Sequence, residues 1–289
     1  MPPTSALTHT FTDDYGVVVT YYEFPLPDGR KPRGVVQLAH GIGEHAGRYA
    51  HVARALNDAG YAVFADDHRG HGQTGLAQWG GDATQLGRLG PGGLRATIGD
   101  LRQLGRIVRG RHPESPVILL GHSWGSLMAQ RLINDHAADY DAVVLTGTAY
   151  RMLGSMRSGN LNGRHRHLGT TGHEWLSRDV AIQTAFGEDP LNFSAEPLAK
   201  FGFVDALRLL GRPARSLERD IPLLIQIGSD DSLGGEKSVV KLANAYRRRS
   251  GLSDVTVHIY ADARHEVFNE LNKDEVLTDL VRWLDARFA

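Results

Sequence analysis

The chain has 289 residues, of which 41% are hydrophobic and 22% are charged, the composition of a globular protein that can bury a substantial core. Its 32 basic and 33 acidic residues nearly balance, so no overall field attracts nucleic acid or anionic lipid, and we expect no nucleic-acid partner. It contains no cysteine, which excludes disulfides, thiolate metal sites and a cysteine nucleophile.

The N-terminal residues and the hydropathy bear on location. Residues 1–16 lack a basic start followed by an apolar run, so the sequence predicts no signal peptide and a cytoplasmic location. No stretch approaches the roughly 20 apolar residues that span a bilayer, so any membrane contact is expected to be peripheral. The sequence leaves the oligomeric state open.

Short apolar runs alternate along the chain with segments whose apolar residues recur at helical spacing. After an early antiparallel strand, the runs predict buried strands and the segments between them predict helices. This alternation implies a mostly parallel sheet with helices on both faces, the α/β class. The predicted strands are 15–24, 34–39, 61–65, 116–121, 141–147, 222–228 and 255–260, and the predicted helices lie near 49–56, 94–108, 124–136, 236–248 and 276–284.

The alternation stops in one long segment, residues 148–220, which is richer in Arg, His and Gly and holds no run typical of a buried strand. Helical candidates lie around 174–186 and 197–211 within it. A connection of this length far exceeds the usual 2 to 6 or so residues, and long insertions are commonly functional lids. We therefore predict an α/β core in two parts, 1–147 and 221–289, with an inserted, mainly helical cap at 148–220.

The run GHSWG, residues 121–125, matches the pattern G-x-S-x-G. In this arrangement a serine occupies a sharp turn between a strand and a helix, and the flanking glycines leave room for a strained backbone. A predicted strand enters the motif directly and a predicted helix follows it, which is the context that the pattern requires. The sequence therefore predicts that Ser123 is a nucleophile presented above the sheet.

A serine hydroxyl needs a base to take its proton and a third group to orient that base. In this fold class the acid and then the histidine follow the serine in the chain, each at the end of a later strand. Asp230 and Asp231 follow the predicted strand 222–228, and His265 follows the strand 255–260. Both aspartates lie just past a strand tip, where a carboxylate reaches the histidine, so the spacing does not choose between them.

Acyl transfer also needs backbone N–H donors for the oxyanion, and one normally comes from the residue after the nucleophile. Trp124 occupies that position. The second donor comes from the loop after an earlier strand, and here the strand 34–39 is followed by the Gly-rich run HGIGEH at 40–45. We expect Ile42 to supply this second N–H.

Several blocks of the sequence resemble the α/β-hydrolase fold, and within it the monoacylglycerol lipase and lysophospholipase-like group, often described with the serine aminopeptidases (S33). The run HGIGEH resembles the oxyanion loop of that group, DHRGHG at 67–72 resembles its signature after the following strand, and GHSWG resembles its elbow. GSDD at 228–231 and ARHEVFNE at 263–270 are similar to its acid and histidine segments. The resemblance implies Asp231, at the end of a Gly-Ser-x-Asp pattern, as the acid.

This resemblance implies a serine hydrolase that cleaves carboxylic esters through an acyl-enzyme, without a cofactor. The implied partner is a small-molecule, lipid-derived ester, as for a monoacylglycerol lipase or a lysophospholipase-like esterase. Trp124 departs from the group, in which Met and Gly commonly follow the serine, whereas a GxSWGS elbow occurs in proline iminopeptidase-like relatives. An amidase or aminopeptidase is therefore one alternative, and a non-catalytic ligand receptor on the same fold is another.

Two histidine pairs raise a further alternative, a metallohydrolase. His68 with His71, and His165 with His167, lie close together in the sequence, but neither pair has a carboxylate at a recognised ligand spacing. We therefore predict no metal site. We expect His68 and His71 to satisfy hydrogen bonds within their loop.

Overall fold

One eight-stranded sheet runs through the part of the chain that the computed structural model describes, residues 6–157, 159–194 and 200–289. The strands lie in the order β1-β2-β4-β3-β5-β6-β7-β8. The pairs β1–β2 and β2–β4 are antiparallel and the other pairs are parallel, which confirms the predicted, mostly parallel sheet. The strands are β1 (Leu7–Thr12), β2 (Val18–Phe24), β3 (Gly34–Ala39), β4 (Tyr61–Asp66), β5 (Val117–His122), β6 (Ala142–Thr146), β7 (Leu223–Gly228) and β8 (Val255–Tyr260).

Helices cover both faces of this sheet, as the alternating pattern predicts. Leucines and valines of α3, α4 and α7 pack into one apolar cluster, and those of α1 and α8 pack into a second cluster on the opposite face. The strands from β3 to β7 are buried along their whole length, which is why they read as continuous apolar runs. The α-helices of the described residues are α1 (Ala50–Asp58), α2 (Gly72–Gln78), α3 (Gly93–Arg111), α4 (Trp124–His136), α5 (Val180–Glu188), α6 (Phe203–Arg208), α7 (Gly235–Ala245) and α8 (Lys273–Phe288).

Two elements have no counterpart among the predicted ones. Strand β1 lies at the edge of the sheet and is mostly exposed, so it lacks the apolar run of a buried strand. Helix α2 has the glycine-rich sequence GQTGLAQ, which disfavours a helix by propensity, but it closes against the loop that follows β4. The early strand also begins at Val18, later than predicted, because Asp13 and Gly16 form a turn before it.

Between β6 and β7 the described residues form helices and loops but no strand. The helix predicted at 174–186 begins only at Val180, because residues 173–176 form a turn beside the loop that follows β8 and Asp179 caps the helix by accepting the Ala181 N–H. There the backbone N–H groups of His265 and Glu266 donate to the carbonyls of Trp175 and Leu176. In the candidate at 197–211, residues 197–199 lie outside the described residues and the helix observed is α6.

Hydropathy gives one further observation on the helices. Within the described ranges, no helix combines the length and the apolar character needed to cross a membrane.

Candidate active site

Ser123 lies at the sharp turn between β5 and α4. Its backbone has φ 50° and ψ −120°, a conformation that is strained for a residue with a Cβ atom. The flanking glycines make this turn possible, since a Cβ at Gly121 would lie 2.7 Å from the Gly125 carbonyl oxygen. A Cβ at Gly125 would lie 2.5 Å from the carbonyl oxygen of His40, at the start of the loop after β3. The steric reason for the G-x-S-x-G pattern is therefore present at both glycines.

We expect Gly125→Ala to destabilise the fold by about 1–3 kcal/mol, because the added methyl group meets backbone atoms that cannot rotate away. Urea unfolding measures the change. Gly99→Ala is the matched control, since Gly99 lies within α3 and a Cβ there has no heavy atom within 4 Å. The control is expected to be neutral or stabilised by up to about 1 kcal/mol. Equal unfolding midpoints for the two variants would contradict the steric argument.

The structure brings together three of the predicted residues in one hydrogen-bonded chain. His265 Nε2 lies 2.7 Å from Ser123 Oγ, and His265 Nδ1 lies 3.1 and 3.0 Å from the two carboxylate oxygens of Asp231. The side chains of His265 and Asp231 are only 1% and 0% exposed. Because an ionised carboxylate only accepts, Nδ1–H donates to Asp231, which leaves Nε2 to accept the serine proton. The arrangement suits proton transfer from the serine hydroxyl to the imidazole.

The pKa of His265 follows from two opposing effects. Burial by itself lowers the pKa of the imidazole, because it disfavours the charged form. The carboxylate of Asp231, through its charge and its hydrogen bond, together with the charges of Glu266 and Glu44, more than offsets this effect and raises the pKa above the ordinary value of 6.5. The neighbouring His122 lacks such a partner, and burial lowers its pKa to about 3.

The second candidate acid faces the other way. Asp230 Oδ2 lies 2.8 Å from His165 Nε2, and Arg164 contacts the other carboxylate oxygen. Both partners belong to the segment between β6 and β7. Of the two aspartates that the spacing leaves open, it is Asp231 that contacts His265.

Of the two predicted oxyanion donors, Ile42 belongs to the loop after β3 and Trp124 follows the serine in the chain. Ile42 lines the same narrow cleft as Ser123 and His265. The loop that carries Ile42 is held by Glu44, whose carboxylate accepts the Gly41 N–H at 2.6 Å. Trp124 is the first residue of α4, where a backbone N–H has no intrahelical acceptor.

Sequence analysis does not identify a buried ion network beside the cleft. Arg48 donates to Glu44 at 2.5 Å and to both carboxylate oxygens of Glu266 at 2.7 Å, and Asn269 also donates to Glu266 at 2.9 Å. Burial raises the pKa of Glu44. Burial also acts to raise the pKa of Glu266, but the Arg48 guanidinium outweighs it and lowers that pKa to about 2. The network joins the loop of Ile42 to the loop of His265.

Aromatic and apolar side chains surround the three-residue chain. The Trp175 ring lies 4.8 Å from the His265 ring, between centroids, and the Trp124 ring lies 5.1 Å from that of His71. A second cavity, of about 310 Å³, shares Trp175 and Phe186 with the cleft of Ser123. The surroundings therefore offer apolar contact area next to the reactive atoms.

His68 and His71 make hydrogen bonds to protein groups. His68 Nδ1 lies 2.7 Å from an Asp66 carboxylate oxygen, and His71 Nδ1 donates to the Arg69 carbonyl at 2.8 Å, within the loop where we expect such bonds. Burial lowers the pKa of His71 to about 3. In the described part of the chain, no cluster of three or more His, Asp or Glu side chains is arranged to hold a metal ion.

Comparisons with known proteins cover nearly the whole chain. A family model described as "Serine aminopeptidase, S33" matches residues 30–272. The monoacylglycerol lipase of Mycolicibacterium smegmatis is 33% identical over 96% of this chain and 96% of its own, and human monoglyceride lipase is 28% identical over 89% and 84%. A solved structure of a thermostable carboxyl esterase from Bacillus coagulans, in complex with glycerol, matches with a TM-score of 0.79 and 25% identity over 99% of this chain and 100% of that one.

Proposed function

This chain belongs to the serine aminopeptidase S33 family and is an ester hydrolase of the α/β-hydrolase fold, and on this basis we propose that it cleaves monoacylglycerol-like esters with a Ser123–His265–Asp231 triad. The observation that carries the proposal is the hydrogen-bonded chain from Asp231 through His265 to Ser123. This connectivity is the one that activates a serine for attack on a carbonyl carbon.

In the first half of the reaction, Ser123 Oγ attacks the ester carbonyl carbon while His265 Nε2 takes the hydroxyl proton. Asp231 orients the imidazole and stabilises its charged form, and the N–H groups of Ile42 and Trp124 hold the oxyanion. His265 then gives the proton to the leaving alkoxide, so the alcohol departs and the acyl group stays on Ser123. In the second half, His265 takes a proton from water while the water oxygen attacks the acyl carbon of the acyl-enzyme. His265 then returns that proton to Ser123 Oγ as the bond between Oγ and the acyl carbon breaks and the acid is released.

The buried ion network supports this chemistry without contacting the reacting atoms. Glu44 holds the N–H of Gly41, directly before Ile42, so the backbone of the oxyanion loop is fixed before the substrate binds. Arg48 holds Glu44 and Glu266 together, and Glu266 follows His265 in the chain. Preorganised donors of this kind need no rearrangement as the charge develops.

We propose that residues 148–220 form a cap that completes the acyl-binding site. Trp175 and Leu176 of this segment line the cleft beside His265, together with Phe186. All three of these side chains are apolar, and apolar lining of this kind suits a lipid-derived acyl chain. Relatives named as monoacylglycerol and monoglyceride lipases, and an esterase structure that holds glycerol, support a glycerol monoester as the substrate.

A substrate panel tests this assignment. Medium-chain and long-chain monoacylglycerols, a short-chain chromogenic ester and an aminoacyl amide are compared by kcat/KM. We expect the monoacylglycerols to be the best substrates, whereas a preference for the amide would favour the aminopeptidase alternative. A fluorophosphonate probe is expected to label Ser123 rapidly, and a failure to label would favour a ligand-binding role.

We expect kcat/KM to fall as the pH decreases, with the midpoint of the acid limb above 6.5. The base works only as neutral imidazole. Because the pKa of His265 is raised, the imidazole becomes protonated, and activity is lost, already at a pH above the ordinary histidine pKa of 6.5. His122 does not contribute to this limb, because its pKa of about 3 keeps it neutral. A pH profile of kcat/KM on a non-ionising ester measures the midpoint, and a value clearly below 6.5 would contradict the role of Asp231.

A further inference from the structure

One buried imidazole contacts the residues on both sides of Asp231. His165 Nε2 lies 2.8 Å from Asp230 Oδ2, and His165 Nδ1 lies 3.1 Å from Ser232 Oγ. The His165 side chain is only 1% exposed. Because an ionised carboxylate only accepts, Nε2–H donates to Asp230 and the hydroxyl of Ser232 donates to Nδ1. Both ring nitrogens are therefore used, and the imidazole bridges the two ends of the short segment that carries Asp231.

Further contacts hold the same loop. The Leu233 N–H donates to the carboxylate of Asp231 at 2.7 Å, and the Leu233 carbonyl accepts the Arg157 N–H at 2.8 Å. Arg164 also contacts Asp230, but its side chain is half exposed and a pair of this kind contributes little. Among the described residues of the segment between β6 and β7, it is His165 that makes buried side-chain hydrogen bonds to this loop.

The segment that carries His165 also reaches the base. The His265 N–H donates to the Trp175 carbonyl at 3.4 Å, and the Glu266 N–H donates to the Leu176 carbonyl at 2.7 Å. One stretch of chain therefore touches the loop of the acid and the loop of the histidine. A displacement of that stretch would change the contact between Asp231 and His265.

We propose that His165 is a positioning residue that fixes Asp231 against His265 and so couples the placement of the inserted segment to the strength of the base. The inference rests on the proposed triad. His165 touches neither the substrate nor the reacting atoms, and it acts through the backbone of residues 230–232. Asp230, the aspartate that the sequence pattern offers as an alternative acid, serves in this arrangement as an anchor.

The test compares His165→Ala with His167→Ala, since His167 is exposed and lies two residues further along the chain. Titration with a fluorophosphonate probe counts active sites, and kcat, KM and the pH profile are then measured per active site. We expect His165→Ala to lower kcat by about 10- to 100-fold with little change in KM, as for a misplaced catalytic group. We also expect the acid limb to move to lower pH, because Asp231 is then held less firmly to His265. His167→Ala is expected to behave as the unmodified protein.

A merely structural role would reduce the number of active sites but leave kcat per site and the acid limb unchanged, and that result would overturn the inference. If His165→Ala does not fold, His165→Gln and Ser232→Ala each remove part of the bridge and are expected to lower kcat by a smaller factor. Unchanged kcat and acid limb in both would overturn the inference as well. If the unmodified protein is not labelled at Ser123, the triad itself fails and the inference falls with it. If the unmodified protein is labelled and the His165→Ala variant is unaffected, the positioning role of His165 is refuted while the proposed triad stands.

Discussion

Replacing Ser123 by alanine is expected to abolish ester hydrolysis, lowering kcat by about 10⁶-fold, as removal of the nucleophile does in other serine hydrolases. The variant retains the proposed oxyanion donors and the proposed base, but it lacks the hydroxyl oxygen that would form the acyl-enzyme, and His265 loses its partner at 2.7 Å. The measurement is kcat on a monoacylglycerol, together with loss of labelling by a fluorophosphonate probe. The melting temperature reports whether the fold is intact.

Ser126→Ala provides the control for this result. Ser126 lies about one turn further along the chain, in α4, is also buried, and donates its hydroxyl proton to the Ser123 carbonyl at 2.6 Å. The substitution Ser126→Ala removes a hydroxyl group of the same size but leaves the proposed nucleophile in place. We therefore expect kcat to stay within about tenfold of that of the unmodified protein. Full activity of Ser123→Ala would refute the proposed mechanism.

Asp231→Asn is expected to lower kcat by about 10⁴-fold with the fold unchanged. The amide that replaces the carboxylate no longer stabilises the imidazolium, and its N–H₂ group favours the tautomer in which Nδ1 of His265 accepts. In that tautomer Nε2 carries a proton and cannot take one from Ser123. Steady-state kinetics above the acid limb measure the loss, and circular dichroism checks the fold.

Asp230→Asn is the matched variant, since it makes the same change one residue earlier. Asp230 faces His165 rather than His265, so we expect a loss within about tenfold. A larger loss for Asp230→Asn than for Asp231→Asn would exchange the roles of the two aspartates.

The local chemistry of the elbow is predictable from the sequence because its causes are local. The two glycines, the strand before Ser123 and the helix after it all lie within a short stretch, and the observed φ of 50° is what such a turn requires. The bounds of β3, α4 and β8 agree with the predicted ranges for a related reason. Buried strands and amphipathic helices carry their own periodicity in the sequence.

The choice between the two aspartates depends on contacts that the spacing does not contain. Strand position places both aspartates near the histidine, although adjacent residues at a strand tip point in different directions. Among the sequence features, it is the resemblance to a known family that favours Asp231. In the structure, His165 and Arg164 bind Asp230, and both come from a segment without a clear pattern. Contacts of this kind are tertiary, and the periodicity of the sequence does not predict them.

The contact between Arg48 and Glu266 is not predictable from the sequence, for the same reason. The two residues are 218 positions apart, and each reads on its own as a charged surface residue. The sequence does carry one signal of this network, because Glu44 and Glu266 both lie inside the blocks that resemble the family. Glu266 follows His265 directly in the chain, so its contact with Arg48 fixes a charged pair next to the proposed base.

The charges around Arg48 also bear on how a turnover ends. Glu266, with its pKa of about 2, balances the guanidinium, and this leaves the negative charge of Asp231 uncompensated once His265 is neutral again. Hydrolysis converts a neutral ester into a carboxylic acid, which ionises at neutral pH beside that charge. Like charges repel most strongly where water is scarce. In the proposed reaction, the charge of Asp231 therefore also favours departure of the product, and it opposes the return of the anion as a competitor for the site.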